Sequence, residues 1–261
     1  MKNYRAFWWV MGITALTYPG VNYMALSIYK NITERRNQAG TIMKFIIGNP
    51  FAFPETWHSV AYFSSLFIFI PAIVIIMLIT NEYSYKTNRQ NIIDGWSRRD
   101  FMTGKLLDII ILSGIVTLLY TVVCLAIGLS NSSDSTAGQW DQAYYIGLFA
   151  LQSFSQLSLA FLVGFLIRKS FMALAVFSFY FLIAEPIAVK VLKYKYHNEI
   201  GEFFPREISD RLLPAPQFFS KFDAEGYKAS LAAVQPHVYY TILLIIITWS
   251  FCFWQNNRRD L

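Results

Sequence analysis

Residues 81–105 read NEYSYKTNRQNIIDGWSRRDFMTGK, and they lie between two long apolar runs, Val60–Ile79 and Leu106–Leu129. The stretch sets Lys86, Arg89, Arg98, Arg99 and Lys105 against Glu82, Asp94 and Asp100. Ile92, Ile93 and Trp96 fall at the helical spacing i, i+1, i+4, which predicts a short helix with one apolar and one charged face. Gly95 tolerates the left-handed geometry in which helices end, so the helix should stop there. Ser97 has Asp100 three residues on. That is the pattern of a capping box, with Asp in place of the usual Glu, and it starts a second helix. The reading is therefore helix, tight turn, helix, held just outside a membrane between two spans. A solvated linker that merely carried positive charge would have no use for the apolar triplet. Two isoleucines and a tryptophan together suit the headgroup layer or a groove on another protein.

Composition places the whole chain in the same setting. Of 261 residues, 55% are hydrophobic, 18% aromatic and only 15% charged, with a mean hydropathy of +0.39. Soluble domains carry about 25% charged residues, so long uncharged runs at this composition point to a polytopic membrane protein. The net charge of +6 does not indicate a nucleic-acid partner, because the basic residues are scattered between apolar runs. Cys124 and Cys252 both lie inside apolar runs, which argues against a disulfide framework or a cysteine metal site. His58, His197 and His237 are far apart and form no ligand pattern. The sequence contains no G-x-x-x-x-G-K-[ST] phosphate loop, no H-E-x-x-H and no G-x-S-x-G elbow. The chain is expected to be no enzyme and to hold no metal or cofactor of its own.

Taken in order, the apolar runs predict an all-α membrane protein. It forms a single transmembrane domain over 1–261, with six spans at about 7–28, 57–80, 106–130, 145–167, 171–191 and 238–254. The first run is long for a secretory leader and is read as a retained span. Tyr29–Glu55 is mixed, with an amphipathic patch at Ile42, Met43, Phe45, Ile46 and Ile47, and suits an interfacial segment. Pro71 lies inside the second span and predicts a kink. Residues 193–236 form a long external segment. Half of the 22 Lys and Arg residues sit in short segments or beside span ends on one side: Lys2, Arg5, the five of the central stretch, Arg168, Lys169, Arg258 and Arg259. The remainder are diluted over the long segments, where acids balance them. The positive-inside rule then puts both termini and residues 81–105 in the cytoplasm.

Polar residues within spans are the remaining clue. Gln152 and Gln156 are i, i+4 on the fourth span, with Ser155 nearby, so their amides share one face. They either make interhelical hydrogen bonds or line a transport path. Glu185 falls about 22 Å into the fifth helix, counted from Ser170 at 1.5 Å per residue. Pro186 removes a backbone donor at the same level. Either Glu185 faces protein or water inside the membrane, or the span ends at Ala184 and Glu185 lies at the interface. Asp108 fits an interfacial position in the first turns of the third span.

The central stretch resembles the type-two permease family of ATP-binding-cassette (ABC) exporters. The resemblance rests on Glu82 closing the second span, Thr87, Arg89, Gly95, Ser97-Arg98, and Lys105 opening the third. Lys86 departs from the family, which usually has Gly before the Thr. The residue motif covers about 25 residues, while the architecture matches over nearly the whole chain. The resemblance implies a permease subunit in a bacterial inner membrane. It would pair with a second permease subunit, alike or related, and sit on separate ATPase subunits that bind ATP and Mg. The helix around Arg89–Asp94 would be the coupling helix, with Ile92, Ile93 and Trp96 as buried anchors and Arg89 and Arg98 as the charged rim. Glu82, Thr87 and Gly95 would belong to the same ATPase-binding stretch. Gln152, Gln156 and Glu185 are the candidates for the substrate path. Two other classes compete. A stand-alone intramembrane enzyme or immunity protein would need convergent polar residues, for which the same three are the only candidates. A secondary transporter would be expected to show an internal duplication.

Overall fold

The computed structural model describes residues 5–33, 48–132, 138–196, 199–219 and 223–258, and among them every regular element is helical. The long helices are α1 (Arg5–Thr33), α5 (Arg98–Asn131), α6 (Tyr144–Ile167) and α10 (Ala224–Arg258). Shorter ones are α2 (Thr56–Ser65), α3 (Phe69–Ser84), α4 (Thr87–Ile93), α7 (Ser170–Phe179), α8 (Glu185–Lys195) and α9 (Pro205–Asp210). A π-helical turn, Tyr180–Ala184, joins α7 to α8, and a 3-10 turn, Glu199–Phe203, precedes α9. Four helical stretches among the described residues are long and apolar enough to cross a membrane: Arg98–Asn131, Tyr144–Ile167, Ser170–Lys195 and Ala224–Arg258. The bent pair Thr56–Ser65 and Phe69–Ser84 makes a fifth. The amphipathic patch at 42–47 and His197 lie outside the described residues.

α6 is the hub, packing against α2, α3, α5, α7, α9 and α10. Its sequence explains this, because it carries no charged residue and its few polar side chains are hydroxyls and two amides that can be paired within the protein. Half of its most apolar window is buried within the protein, more than in the other three single-helix spans. Phe161 and Phe165 stack on each other, and Trp249 of α10 stacks on Phe161 at 5.1 Å. Gly164 lets α3 approach closely. A Cβ there would stand 2.5 Å from Ile79 Cγ2 and 3.4 Å from the Ile76 Cα.

The kink expected from Pro71 is present, but it falls just before the proline. α2 and α3 meet at 46°. The turn between them closes with Phe67 N–H to Ser64 O at 3.1 Å and Ile68 N–H to Ser65 O at 3.2 Å. Proline has no N–H and its ring crowds the carbonyl four residues earlier, here that of Phe67, so the break is displaced toward the amino end. α5 and α10 each begin well before their apolar runs. α5 starts at Arg98 because its cap does. α10 starts at Ala224, so residues 224–236, read as part of the external segment, are helical, with Pro236 inside the helix. α1 spans 29 residues. It buries Tyr18, Asn22 and Leu26 and turns Trp8, Trp9, Leu16 and Met24 outward.

Replacing Gly164 by Leu should overpack the α3–α6 crossing and lower stability by about 1–3 kcal/mol. A fall in the detergent melting temperature, with an unchanged helical circular dichroism spectrum below it, is the expected reading.

Candidate functional site

Two places combine built geometry with polar or exposed groups. The first is the 81–105 stretch. Asn91 O accepts from Trp96 N–H at 3.0 Å, and Gly95 stands at φ +100°. These are the marks of a Schellman ending for α4. Ser97 then caps α5 with a reciprocal capping box: Asp100 N–H donates to Ser97 Oγ at 3.1 Å, and Ser97 N–H donates to Asp100 Oδ2 at 3.1 Å. The turn is thus closed by bonds made within a few residues of one another.

The same stretch is tied to three helices. Glu82 at the end of α3 pairs with Lys105 of α5, which also reaches Asp108 at 3.3 Å. Thr87 Oγ1 donates to Glu82 O at 3.3 Å. Arg98 Nη1 donates to Asn257 O at 2.9 Å, and Asn256 Nδ2 returns a bond to Arg98 O at 2.9 Å, which fastens α5 to α10. What this frame holds out is apolar: Ile93 is 83% exposed and Trp96 51%. Arg89 and Ile92 lie within α4, and their side chains are outside the described set.

The second place is the short helix α9. Gln152 and Gln156 of α6 are both buried, and both donate to one oxygen, Oδ1 of Asp210, at 2.9 and 2.6 Å. Gln156 also reaches Ser209 Oγ at 3.2 Å. Glu185, 2% exposed, accepts with Oε1 from the backbone N–H groups of Arg206 and Glu207, each at 2.8 Å. These are N–H groups at the start of α9, which have no partner within the helix. Arg206 Nε faces Asp210 Oδ2 at 2.9 Å, while its Nη1 donates to Phe181 O at 2.7 Å and its guanidinium lies 4.6 Å from the Phe181 ring centre. That carbonyl is available because the π turn shifts the bonding there, with Glu185 N–H going to Tyr180 O. α9 therefore sits about 12 Å below the Tyr144 end of α6, eight residues along at 1.5 Å each.

The structure thus gathers all three path candidates around α9. Glu185 is buried in protein. Arg206, Glu207 and Asp210, which hold the other half of this network, were missed in sequence. They sit in a segment of mixed charge with no apolar periodicity, and the only signal was the Pro205 start followed by alternating charges. Burial pushes the Asp210 carboxyl up to about 6, with Arg206 and the two amides pulling the other way.

Because that value lies above the ordinary 3.8, the group's contribution to stability is complete below pH 4 and fades as pH rises through 6. Melting temperature measured between pH 4 and 7 should fall across this window, and Asp210→Asn should flatten the fall. Glu185→Ala should leave two buried N–H groups without an acceptor and cost about 1–3 kcal/mol. Faster hydrogen exchange confined to residues 205–210 would report the loosening directly.

The model of the family described as "Protein of unknown function (DUF2705)" matches residues 24–261, and the chain belongs to that family. No curated protein and no solved structure matches the chain.

Proposed function

We propose that this DUF2705 chain is the permease subunit of an ATP-driven ABC exporter, and that α4 is its coupling helix. The observation that carries the reading is the exposure of Ile93 and Trp96 on a helix–turn–helix whose turn is capped on both sides. Exposed aromatic and aliphatic anchors on a rigid frame are what a protein groove selects. In this reading Ile92, Ile93 and Trp96 seat in a partner ATPase, Arg89 and Arg98 form the rim, and Glu82, Thr87 and Gly95 shape the stretch.

The ties to α3, α5 and α10 support a mechanical role. A push on α4 reaches α3 through Thr87 and Glu82, α5 through Lys105, and α10 through Arg98. ATP-driven closure of two ATPase subunits, which bind ATP and Mg, would rock these helices and shift access across the membrane. A second permease subunit completes the transporter. We take α1 as a sixth span, because its outward Trp8, Trp9, Leu16 and Met24 suit lipid. Both ends then face the cytoplasm of a bacterial inner membrane, in line with the positive-inside pattern. The reading as a lone intramembrane enzyme is less favoured, since Gln152, Gln156 and Glu185 all donate to or accept from groups of α9.

Co-purification with an ABC ATPase subunit tests the proposal. Ile93→Ala combined with Trp96→Ala should weaken that association at least tenfold, in keeping with about 2 kcal/mol or more for a buried aromatic anchor. Transport-coupled ATP turnover should fall with it. A double variant that holds its ATPase and turns over ATP as before would refute the assignment.

A further inference from the structure

The end of the molecule opposite α4 holds a cavity of about 460 Å³. It lies where the starts of α2, α6 and α10 converge, with the chain around Phe53 and Phe218 closing its sides. Among the described residues that line it, Glu55 is the one acid, and none is Lys or Arg. Its volume falls within the range of small-molecule sites, about 300–1,000 Å³.

The walls are aromatic and hydroxyl-bearing. Tyr144 stacks on Tyr145 at 4.5 Å, and Tyr145 stacks on His58 at 4.3 Å with the planes 6° apart. His58 Nε2 lies 2.7 Å from Pro214 O. A carbonyl only accepts, so that nitrogen carries the proton. Tyr144 remains 58% exposed, so its outer face is open. Tyr227 lies within electrostatic range of both Tyr144 and Glu55.

Three helix starts meeting at one cavity would ordinarily favour an anion. Here the donors an anion needs are spent. Thr56 and Trp57 N–H go to Ala52 O and Pro54 O, at 3.0 and 3.3 Å. Tyr145 and Ile146 N–H go to Gln142 O and Ala143 O, at 3.1 and 2.9 Å. Gly226 and Tyr227 N–H go to the side chain and carbonyl of Asp223, at 2.8 and 3.0 Å. Besides the neutral Ser59, Gln142 and Gln217 side chains, what remains for a ligand is a carboxylate, phenol oxygens and ring faces, which attract positive charge.

We infer that this cavity binds an organic ammonium group, primary or quaternary, with Glu55 as counter-ion and the Tyr144, Tyr227 and Phe218 side chains around it. The same chemistry is offered by a free amine and by the headgroup of an amine-bearing lipid. The site stands apart from α4, and it holds whether or not an ATPase drives the chain.

The test is calorimetric titration of the detergent-purified full chain with three probes: choline, its neutral isostere 3,3-dimethyl-1-butanol, and inorganic phosphate. Choline should bind at least tenfold more tightly than the isostere, and phosphate should not bind. Glu55→Gln should weaken choline about tenfold, and Glu55→Asp should restore part of the loss. Glu55 is exposed, so both variants should melt as the native chain does, and Tyr144→Leu provides a second weakening variant. Choline no tighter than its isostere, phosphate bound in its place, or unchanged affinity in Glu55→Gln overturns the proposal. Repeating the titration in nanodiscs identifies the source. Competition by phosphatidylethanolamine but not phosphatidylglycerol assigns the site to a lipid headgroup, and equal choline affinity in both assigns it to a free amine.

Discussion

In an apolar solvent every buried polar group needs a partner inside the protein, and that requirement organises this fold around α6. The helix carries Gln152, Ser153, Ser155, Gln156 and Ser158, all buried. Four of them find a neighbour or draw one in, while Ser155 Oγ is buried without a hydrogen-bond partner among the described residues. Ser153 Oγ meets Ser113 Oγ of α5 at 2.9 Å, and Ser158 Oγ accepts from Trp249 Nε1 of α10 at 3.1 Å. The two glutamines have no partner on a spanning helix. They take theirs from α9, a six-residue helix too short to be stable alone. The amides hold α9 in place, and α9 gives the amides an acceptor; neither arrangement makes sense without the other.

The same requirement explains where helices break. A π turn and Pro186 disturb the backbone ladder at Tyr180–Ala184, which would be unfavourable facing lipid. Arg206 donates to the Phe181 carbonyl there, and Glu185 answers with its carboxylate to the start of α9. The 46° bend between α2 and α3 is likewise lined by protein, with Ile68 and Ala72 fully buried. Irregular backbone is confined to places where other elements can satisfy it.

This also decides what could be read from the sequence. Composition and long apolar runs made the helical, membrane-type character plain. Local signals were equally legible: Gly95 and the Ser97–Asp100 pair act within a few residues of one another, and their geometry needs nothing else. Glu185, Gln152 and Gln156 were visible as polar groups in apolar surroundings, because such placement is unfavourable without a partner. Their partners were not visible. Asp210 lies 58 residues from Gln152 in sequence, and no periodicity marks it. The alternatives of hydrogen bonding and a substrate path differ only in what faces the amides, which is a tertiary fact. The position of the kink shifted for a local reason: a proline disturbs the carbonyl four residues before it and not its own position.

The two sites resolve the polar problem in opposite ways. At the α4 end, backbone caps complete the turn internally, so apolar side chains can be left outside without loosening the frame that carries them. At α9, the short helix depends on the two amides of α6 and the Glu185 carboxylate of α8, and its hold weakens if either helix moves. A rotation of α6 relative to α8 by a few ångströms would separate the amides from the Glu185 carboxylate, which together grip opposite parts of α9. The α4 turn is held by caps formed within a few residues, and α9 by side chains reaching it from two other helices.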